Sequence, residues 1–403
     1  MKGGITTTIF HIDVNNAFLS WESVYRLTRL GETLDLRTIP SAIGGNKQER
    51  HGIILAKSTP AKKLGIKTAE TLGDALKKCP NLLIVSPHMD IYKTYSNQLM
   101  HLLEDYSDTI EQYSIDEAFV NMTGTELLFG TPEEAAHTIQ NRIRKDLGFT
   151  VNIGISTNKL LAKMASDYPK PDTIYTIFPD EISTKLWPKP VGDLFFVGRA
   201  SRKKLYNLGI CTIGELAHTD VQTLRQHLGK HGDLIHAYAN GLDTSPVLTH
   251  QPDNKGYGNS TTISHDVTDV QEAKQYILGL CESVGTRLRR DHVCAGVLAI
   301  SLRDYEFHHG SHQCTLASAT NVTSELYQYA CDLFDAYWDG TPIRQIGVHS
   351  SKVVQDAPRQ LNLLDGEHFI RQEKVEHAVD EIRQRFGKDA IKRASFLNSD
   401  KKK

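Results

Sequence analysis

Tyr113-Ser114-Ile115-Asp116-Glu117-Ala118-Phe119 places two adjacent carboxylates inside a run that otherwise reads as a buried strand. One unpaired buried carboxylate is costly, and two side by side repel each other unless a cation sits between them. A third acid closes a second apolar run near the N-terminus, Thr8-Ile9-Phe10-His11-Ile12-Asp13. Three strand-borne carboxylates converging on one point make an oxygen-only site suited to Mg²⁺, which keeps waters and substrate phosphates as further ligands. Paired metals of that kind clamp the attacking and leaving oxygens of a phosphoryl transfer. A lone Asp-Glu pair is more often an edge-strand feature facing water, so the surroundings decide. Adjacent residues on a flat strand also point to opposite faces. Asp116 and Glu117 can share a site only if the strand bends or turns there.

Strands and helices alternate around these runs. The first strand ends at Asp13, and Asn15 or Asn16 is placed to cap a helix from about Ala17 to Leu30 that Gly31 closes. Pro87 precedes a long helical repeat through Tyr92, Tyr95, Leu99, Leu102 and Leu103. A helix over about 132–147, a strand over 150–155 and a helix to Asp167 follow the Asp-Glu strand, the pattern of a mixed α/β layer. From about Pro179 the pattern turns helical, and Thr212-Ile213-Gly214-Glu215 has capping-box spacing. Short helices around a glycine turn read there as a helix-hairpin-helix, whose loop amides can hold a phosphate. Arg199, Arg202, Lys203 and Lys204 crowd together in it without an acid. The stretch from Gly241 to Gly258 is rich in Gly, Pro, Asp and Asn and reads as a linker. Beyond it, Arg287, Arg289 and Arg290 lead into the strand-like run Val297–Arg303.

At 403 residues the chain is too long for one core and suggests roughly two to four domains. With 39% hydrophobic and 23% charged residues it is an ordinary globular composition. The formal net charge of −2 gives no bulk hint of a nucleic-acid partner, so any such surface must be a local cluster. Six scattered cysteines without a CxxC pair indicate neither a zinc site nor a disulfide framework. No signal-peptide pattern and no apolar run of roughly 20 residues is present, so a cytoplasmic location without a membrane partner is expected.

The residues after the acids carry a family resemblance. Asp13-Val14-Asn15-Asn16-Ala17-Phe18, with Glu22 nine places after Asp13, resembles the opening motif of Y-family (translesion) DNA polymerases. Ser114-Ile115-Asp116-Glu117-Ala118-Phe119 is similar to the second motif. Gly154-Ile155-Ser156-Thr157-Asn158-Lys159, Leu160–Asp167 and Lys170-Pro171 resemble the third. The motifs stand in family order over nearly the whole chain and look most like the bacterial UmuC-like branch.

The resemblance implies an α/β multidomain right hand. A ferredoxin-like palm (1–24 and 87–178) and small fingers (25–86) would precede a helical thumb with the helix-hairpin-helix (179–242). A linker (243–256), a C-terminal little finger (257–352) and a tail (353–403) would complete it. It implies a low-fidelity DNA polymerase of SOS-type damage bypass, a mutator that joins dNTPs to a primer 3′-hydroxyl without a proofreading site. Asp13 and Asp116 would bridge two Mg²⁺ ions, Glu117 would complete one shell, and the Val14 carbonyl would be a further ligand. Phe18 would lie as a steric gate under the incoming sugar. Lys62 and Lys170 would bind triphosphate beside Thr59, although the family often has arginine and tyrosine where this chain has Lys62 and Thr59. That departure removes a bidentate donor and an aromatic hydroxyl. Lys163 and Asp167, four apart on one helix, suit either a surface ion pair or support of the site.

Primer–template DNA would meet Gly198, Arg199 and Lys203 in the thumb and Arg287, Arg289 and Arg303 in the little finger. Gln360-Leu361-Asn362-Leu363-Leu364 resembles the peptide by which bacterial polymerases dock on the sliding clamp, with Gln360, Leu361, Leu363 and Leu364 as anchors. Packing of these leucines on the next helix is the other reading. An amphipathic pattern through Val375, Val379, Ile382 and Phe386 follows and stops at Gly387. Some members need accessory subunits. A nucleotidyl cyclase-like palm enzyme and a catalytically idle DNA-binding relative stay open as alternatives.

Overall fold

Ile9–Val14 forms strand β1, buried along its whole length as the central strand of a five-stranded sheet. This computed structural model describes residues 7–45, 52–250, 252–355, 366–387 and 389–396, and the clamp-like peptide at 360–364 lies outside them. The chain divides into two units, one of residues up to 45 together with 52–250, the other from 252 onward.

Helix α1 (Ala17–Arg29) follows β1. Asn16 precedes it with a left-handed φ of 49° and no side-chain cap bond, which corrects the expectation of an asparagine cap. Asn15 instead ties loops together, donating to Asn152 and accepting from Thr150 and the Asp172 amide. A three-stranded sheet comes next. Its strand β2 (Ser41–Gly44) pairs antiparallel with β3 (Ile54–Lys57). Helices α2 (Thr59–Lys63) and α3 (Leu72–Lys78) then lead to β4 (Leu83–Val85), which pairs parallel with β2. Ala42, Ile54, Ala61, Ile66 and Leu72 give this sheet a core of its own.

Helix α4 (Met89–Glu104) leads back to the large sheet and to β5 (Ile110–Gln112) and β6 (Glu117–Asn121). Helices α5 (Glu126–Phe129) and α6 (Pro132–Arg142) precede β7 (Val151–Ser156), then helix α7 (Lys159–Ser166) and β8 (Ile174–Thr176). The order is β5-β6-β1-β7-β8, antiparallel except for the β7–β8 pair. Phe10, Ile12, Ala118 and Val120 pack with Trp21, Tyr92, Leu99 and Ile139 of the helices on one face. Ile9 and Phe119 face Ala162 of α7 on the other. Alternation along β1 therefore turns Asp13 toward the α7 side. Gly154 sets how close α7 lies: a Cβ there would meet Ala162 O at 2.0 Å and Ser166 N at 2.3 Å.

Four helices complete the first unit: α8 (Arg199–Asn207), α9 (Ile213–His218), α10 (Val221–Leu228) and α11 (Lys230–Ala239). Leu205, Ile213, Leu216, Leu224 and Ile235 form their core, and the Thr212–Glu215 capping box is made as expected. The start of the expected linker is anchored rather than loose. Asp243 accepts from the Leu160 amide at 3.1 Å, the Leu248 amide donates to Glu111 at 2.8 Å, and Val247 packs on Ile9 and Phe119. Its polar residues have partners that composition alone does not reveal.

In the second unit β9 (Gly256–Val267) and α12 (Val270–Arg290) precede β10 (Val293–Asp304) and β11 (His309–Thr320). Helix α13 (Thr323–Tyr337) and β12 (Ile343–Gln355) close an antiparallel sheet of order β11-β10-β12-β9. Ile277, Val284, Leu288, Leu326 and Phe334 of its two helices cover Leu298, Ile300, Ile346 and Val348.

Helix α14 (Gly366–Phe386) ends at Gly387, φ 93°, as the pattern predicts, but it does not dock through its apolar stripe. Val375 and Phe386 are exposed while Glu376 is buried. Glu376 accepts from the Thr323 amide at 2.9 Å and pairs with Arg289, which also reaches Asp380 at 2.6 Å. Arg383 meets Glu282 at 3.3 Å. Charged contacts hold the described part of this helix. No helix among the described residues is long and apolar enough to cross a membrane.

Candidate active site

In the antiparallel pairing of β1 and β6, Asp13 lies directly opposite Glu117. The Val14 amide donates to the Asp116 carbonyl at 3.0 Å, so the third acid joins the same sheet edge. Asp116 itself precedes β6, inside a turn. The amides of Tyr113 and Ser114 both donate to the Glu117 carbonyl, at 2.9 and 3.2 Å. The Ser114 hydroxyl donates to Asp116 Oδ1 at 2.6 Å and accepts from the Asp116 amide at 3.2 Å. Strict strand alternation therefore does not apply to Asp116, which sits in this turn.

Lysines meet the acids. Lys170 bonds Asp13 and lies 3.0 Å from Asp167. Lys163 donates to Glu117 at 2.8 Å, and Lys159 to Glu111 at 2.7 Å. The surface pair Lys163–Asp167 is thus not formed; the close seat of α7 over Gly154 aims Lys163 at Glu117 instead. Burial pushes the Asp13 carboxyl up to about 6, with Glu117 and Asp116 adding to the rise and Lys170 opposing it. Burial, then the charges of Lys163 and Lys170, hold the His11 imidazole well below its ordinary range, and its Nδ1 meets the Ser166 hydroxyl at 2.6 Å.

Among the described residues no three acid, histidine or cysteine side chains stand close enough together to enclose a metal. Two of the acids face their lysines. The donor chemistry nevertheless fits a hard divalent cation: oxygen donors only, carried by three acids on one sheet edge. To hold such an ion, Asp13 and Glu117 would have to release Lys170 and Lys163.

Phe18, partly exposed, stacks on Tyr92 with centroids 5.1 Å apart and planes at 15°. The Tyr92 hydroxyl donates to the buried Glu22 at 2.8 Å, which also receives Arg26 and His88. Thr59 and Lys62 lie exposed on α2, capped by the Ser58 hydroxyl. Lys57, not singled out from the sequence, stands near Lys62: burial and the Lys62 charge both lower its pKa. Two lysines straddling a capping serine are the signal that marks it.

Gly198 caps α8 without a side-chain bond, and Arg199 and Lys203 are exposed on that helix. Arg303 is partly exposed, and its buried Nε has no partner among the described residues. Arg289 corrects the expectation of a DNA contact, being 5% exposed and paired with Glu376 and Asp380. Arg287 is likewise engaged internally, donating to the carbonyls of Gly258 and Ser283. Both lie on the helix side of their sheet rather than on an open face, a distinction that arginine content alone cannot make.

Known proteins resemble this chain along most of its length. The impB/mucB/samB family matches residues 12–167, and its C-terminal domain matches 254–363. A protein of Clostridium acetobutylicum named DNA polymerase IV is 42% identical over 99% of this chain and its own full length. DNA polymerase IV 2 of Bacillus subtilis is 36% identical over 94% of this chain and 93% of its own. In fold, a solved Y-family DNA polymerase chimera superposes with a TM-score of 0.72 at 21% identity, covering 86% of this chain and 99% of its own. With both family models matched and relatives of this kind along nearly its whole length, the chain belongs to the impB/mucB/samB family of Y-family translesion DNA polymerases.

Proposed function

We propose that Asp13, Asp116 and Glu117, with the Val14 carbonyl, form the catalytic edge at which a dNTP is joined to a primer 3′-hydroxyl. The observation that carries this reading is the register of Asp13 with Glu117, tied to Asp116 through the Val14 amide. Two Mg²⁺ ions bound there would activate the hydroxyl and neutralise the triphosphate and departing pyrophosphate. Lys163 and Lys170 balance the acids. Lys62 and Thr59, joined by Lys57, offer the triphosphate a cationic bed in place of an arginine. Phe18, backed by Tyr92, leaves no room for a 2′-hydroxyl.

Arg199 and Lys203, with the open amides after Gly198, suit primer–template phosphates, as does Arg303 in the second unit. The first unit takes the parts of palm, fingers and thumb, and the β9–β12 sheet with its helices that of little finger. Gln360, Leu361, Leu363 and Leu364 tether a low-processivity enzyme to a sliding clamp, which raises its effective concentration at the primer. A cytoplasmic place and occasional accessory subunits accompany that role.

Asp116→Ala tests the reading. Primer extension should vanish while the melting transition stays near its original temperature, since relief of repulsion offsets lost contacts. Activity lost only together with the folded state would overturn it. Changing Gln360, Leu363 and Leu364 to Ala should spare distributive extension and remove stimulation by the clamp.

A further inference from the structure

Two phenylalanines among the described residues hold a left-handed φ, Phe196 at 70° and Phe307 at 72°. Side chains avoid that region because Cβ crowds the following carbonyl oxygen. Phe307 lies between β10 and β11, and the Arg344 guanidinium covers its ring at 4.6 Å. Phe196 has no cationic cover among the described residues and is 52% exposed, three residues before α8. The Phe195 ring lies 4.5 Å from it and the Tyr238 ring 5.9 Å. Phe195 also faces Tyr113 at 6.2 Å, and Tyr113 is itself 42% exposed and three residues before Asp116. The Lys163 ammonium lies 5.3 Å from the Phe195 ring and 5.6 Å from Tyr113 while bonding Glu117. An aromatic surface therefore runs, contact by contact, from the carboxylate edge to Phe196.

Folding gains little from a strained and half-exposed phenyl ring, so strain of this kind points to a ligand. Charge indicates which. Arg199, Arg202, Lys203 and Lys204 follow at once, with no acid between Gly198 and Tyr206. We propose that Phe196 contacts the primer strand, its ring packing on a deoxyribose near the growing end while the adjoining cations meet the flanking phosphates. Base faces inside a duplex are covered by their neighbours, so a ring approaching from the side meets the C–H edge of the sugar. A phenyl ring offers a 2′-hydroxyl no hydrogen bond, so a ribose-ended primer fits it less well. The proposal rests on the polymerase reading and adds a residue outside its family motifs.

Phe196→Gly suits the observed φ, and Phe196→Asn tolerates it, so either keeps the fold. Melting temperature, primer–template Kd without nucleotide, and kcat at saturating DNA are measured for both. Expected are a melting temperature no lower than the unaltered chain, a Kd weaker by about tenfold, and a kcat that falls by less than the affinity does. The preference for DNA-ended over RNA-ended primers should shrink. A folded variant whose primer–template Kd stays within about twofold of the original would overturn the proposal. Binding is read without turnover, so a chain that binds DNA but extends no primer would count against the polymerase reading alone.

Discussion

Lys163 donates to Glu117 at 2.8 Å, and its ammonium lies 5.3 Å from the centroid of the Phe195 ring. A cation held by a carboxylate on one side and aromatic faces on the other is fixed in place as well as in charge. Lys163→Met keeps the buried stem and removes the ammonium, leaving the Glu117 carboxylate without its orienting partner. Single-turnover incorporation should slow by about 10–100-fold, as when groups behind metal ligands are removed. Lys163→Arg should recover part of it. Wild-type turnover in the Met variant would reduce this contact to packing.

The Phe18–Tyr92 stack predicts how sugar selectivity fails. Phe18→Ala removes the ring and leaves Tyr92 and the acids in place, so ribonucleotide use relative to deoxyribonucleotide should rise by about 10–200-fold. Competition between rNTP and dNTP in primer extension reads the ratio directly. An unchanged ratio would make Phe18 ordinary core.

Glu22 predicts a pH dependence. Burial alone would raise its pKa, but bonds from Arg26, His88 and Tyr92 outweigh burial and hold it below the ordinary range. Because the folded value is the lower one, its stabilisation is complete above the unfolded pKa of about 4.3 and drains away as pH falls toward the folded value. Glu22→Gln should destabilise the protein by about 2 kcal/mol at neutral pH. The gap between the two melting curves should narrow below about pH 4. A gap constant from pH 3.5 to 8 would show that the carboxylate charge is not what matters.

The tail helix predicts an inverted pair of mutants. Glu376→Ala leaves the buried Arg289 with Asp380 as its one carboxylate partner among the described residues, beside the Asn321 carbonyl, and should cost about 3 kcal/mol. Amide exchange should quicken along residues 372–386. Phe386→Ala removes a ring that is 74% exposed and should change stability by less than about 0.5 kcal/mol. The opposite ranking would restore the apolar stripe as the docking face.

Much of the candidate site's framework was legible because its signals are local. Apolar runs ending in acids mark β1 and the approach to β6, and Thr212 with Glu215 marks a helix start that forms as written. The turn at Asp116 was not legible, since it depends on the Ser114 hydroxyl and on two amides converging on one carbonyl. Nor was the polar docking of α14. Periodicity reports which side chains share a face, but partners such as Arg289 and Thr323, far away in sequence, decide which face is buried. The anchored stretch after Gly241 escaped for the same reason: Glu111 and the first turn of α7 hold it from more than 80 residues away.

Gly154 carries neither charge nor catalytic atom, yet it is the spacer that decides where Lys163 points. A methyl group there meets backbone atoms of α7, which cannot swing aside as a side chain can. Overpacking of that kind costs about 1–3 kcal/mol and moves the helix as a body. A screen for lost bypass activity would therefore recover Gly154 alongside the acids, and its variants would look like chemical defects in a protein that still folds. Mutational tolerance in this enzyme follows the backs of its helices as closely as it follows the carboxylates.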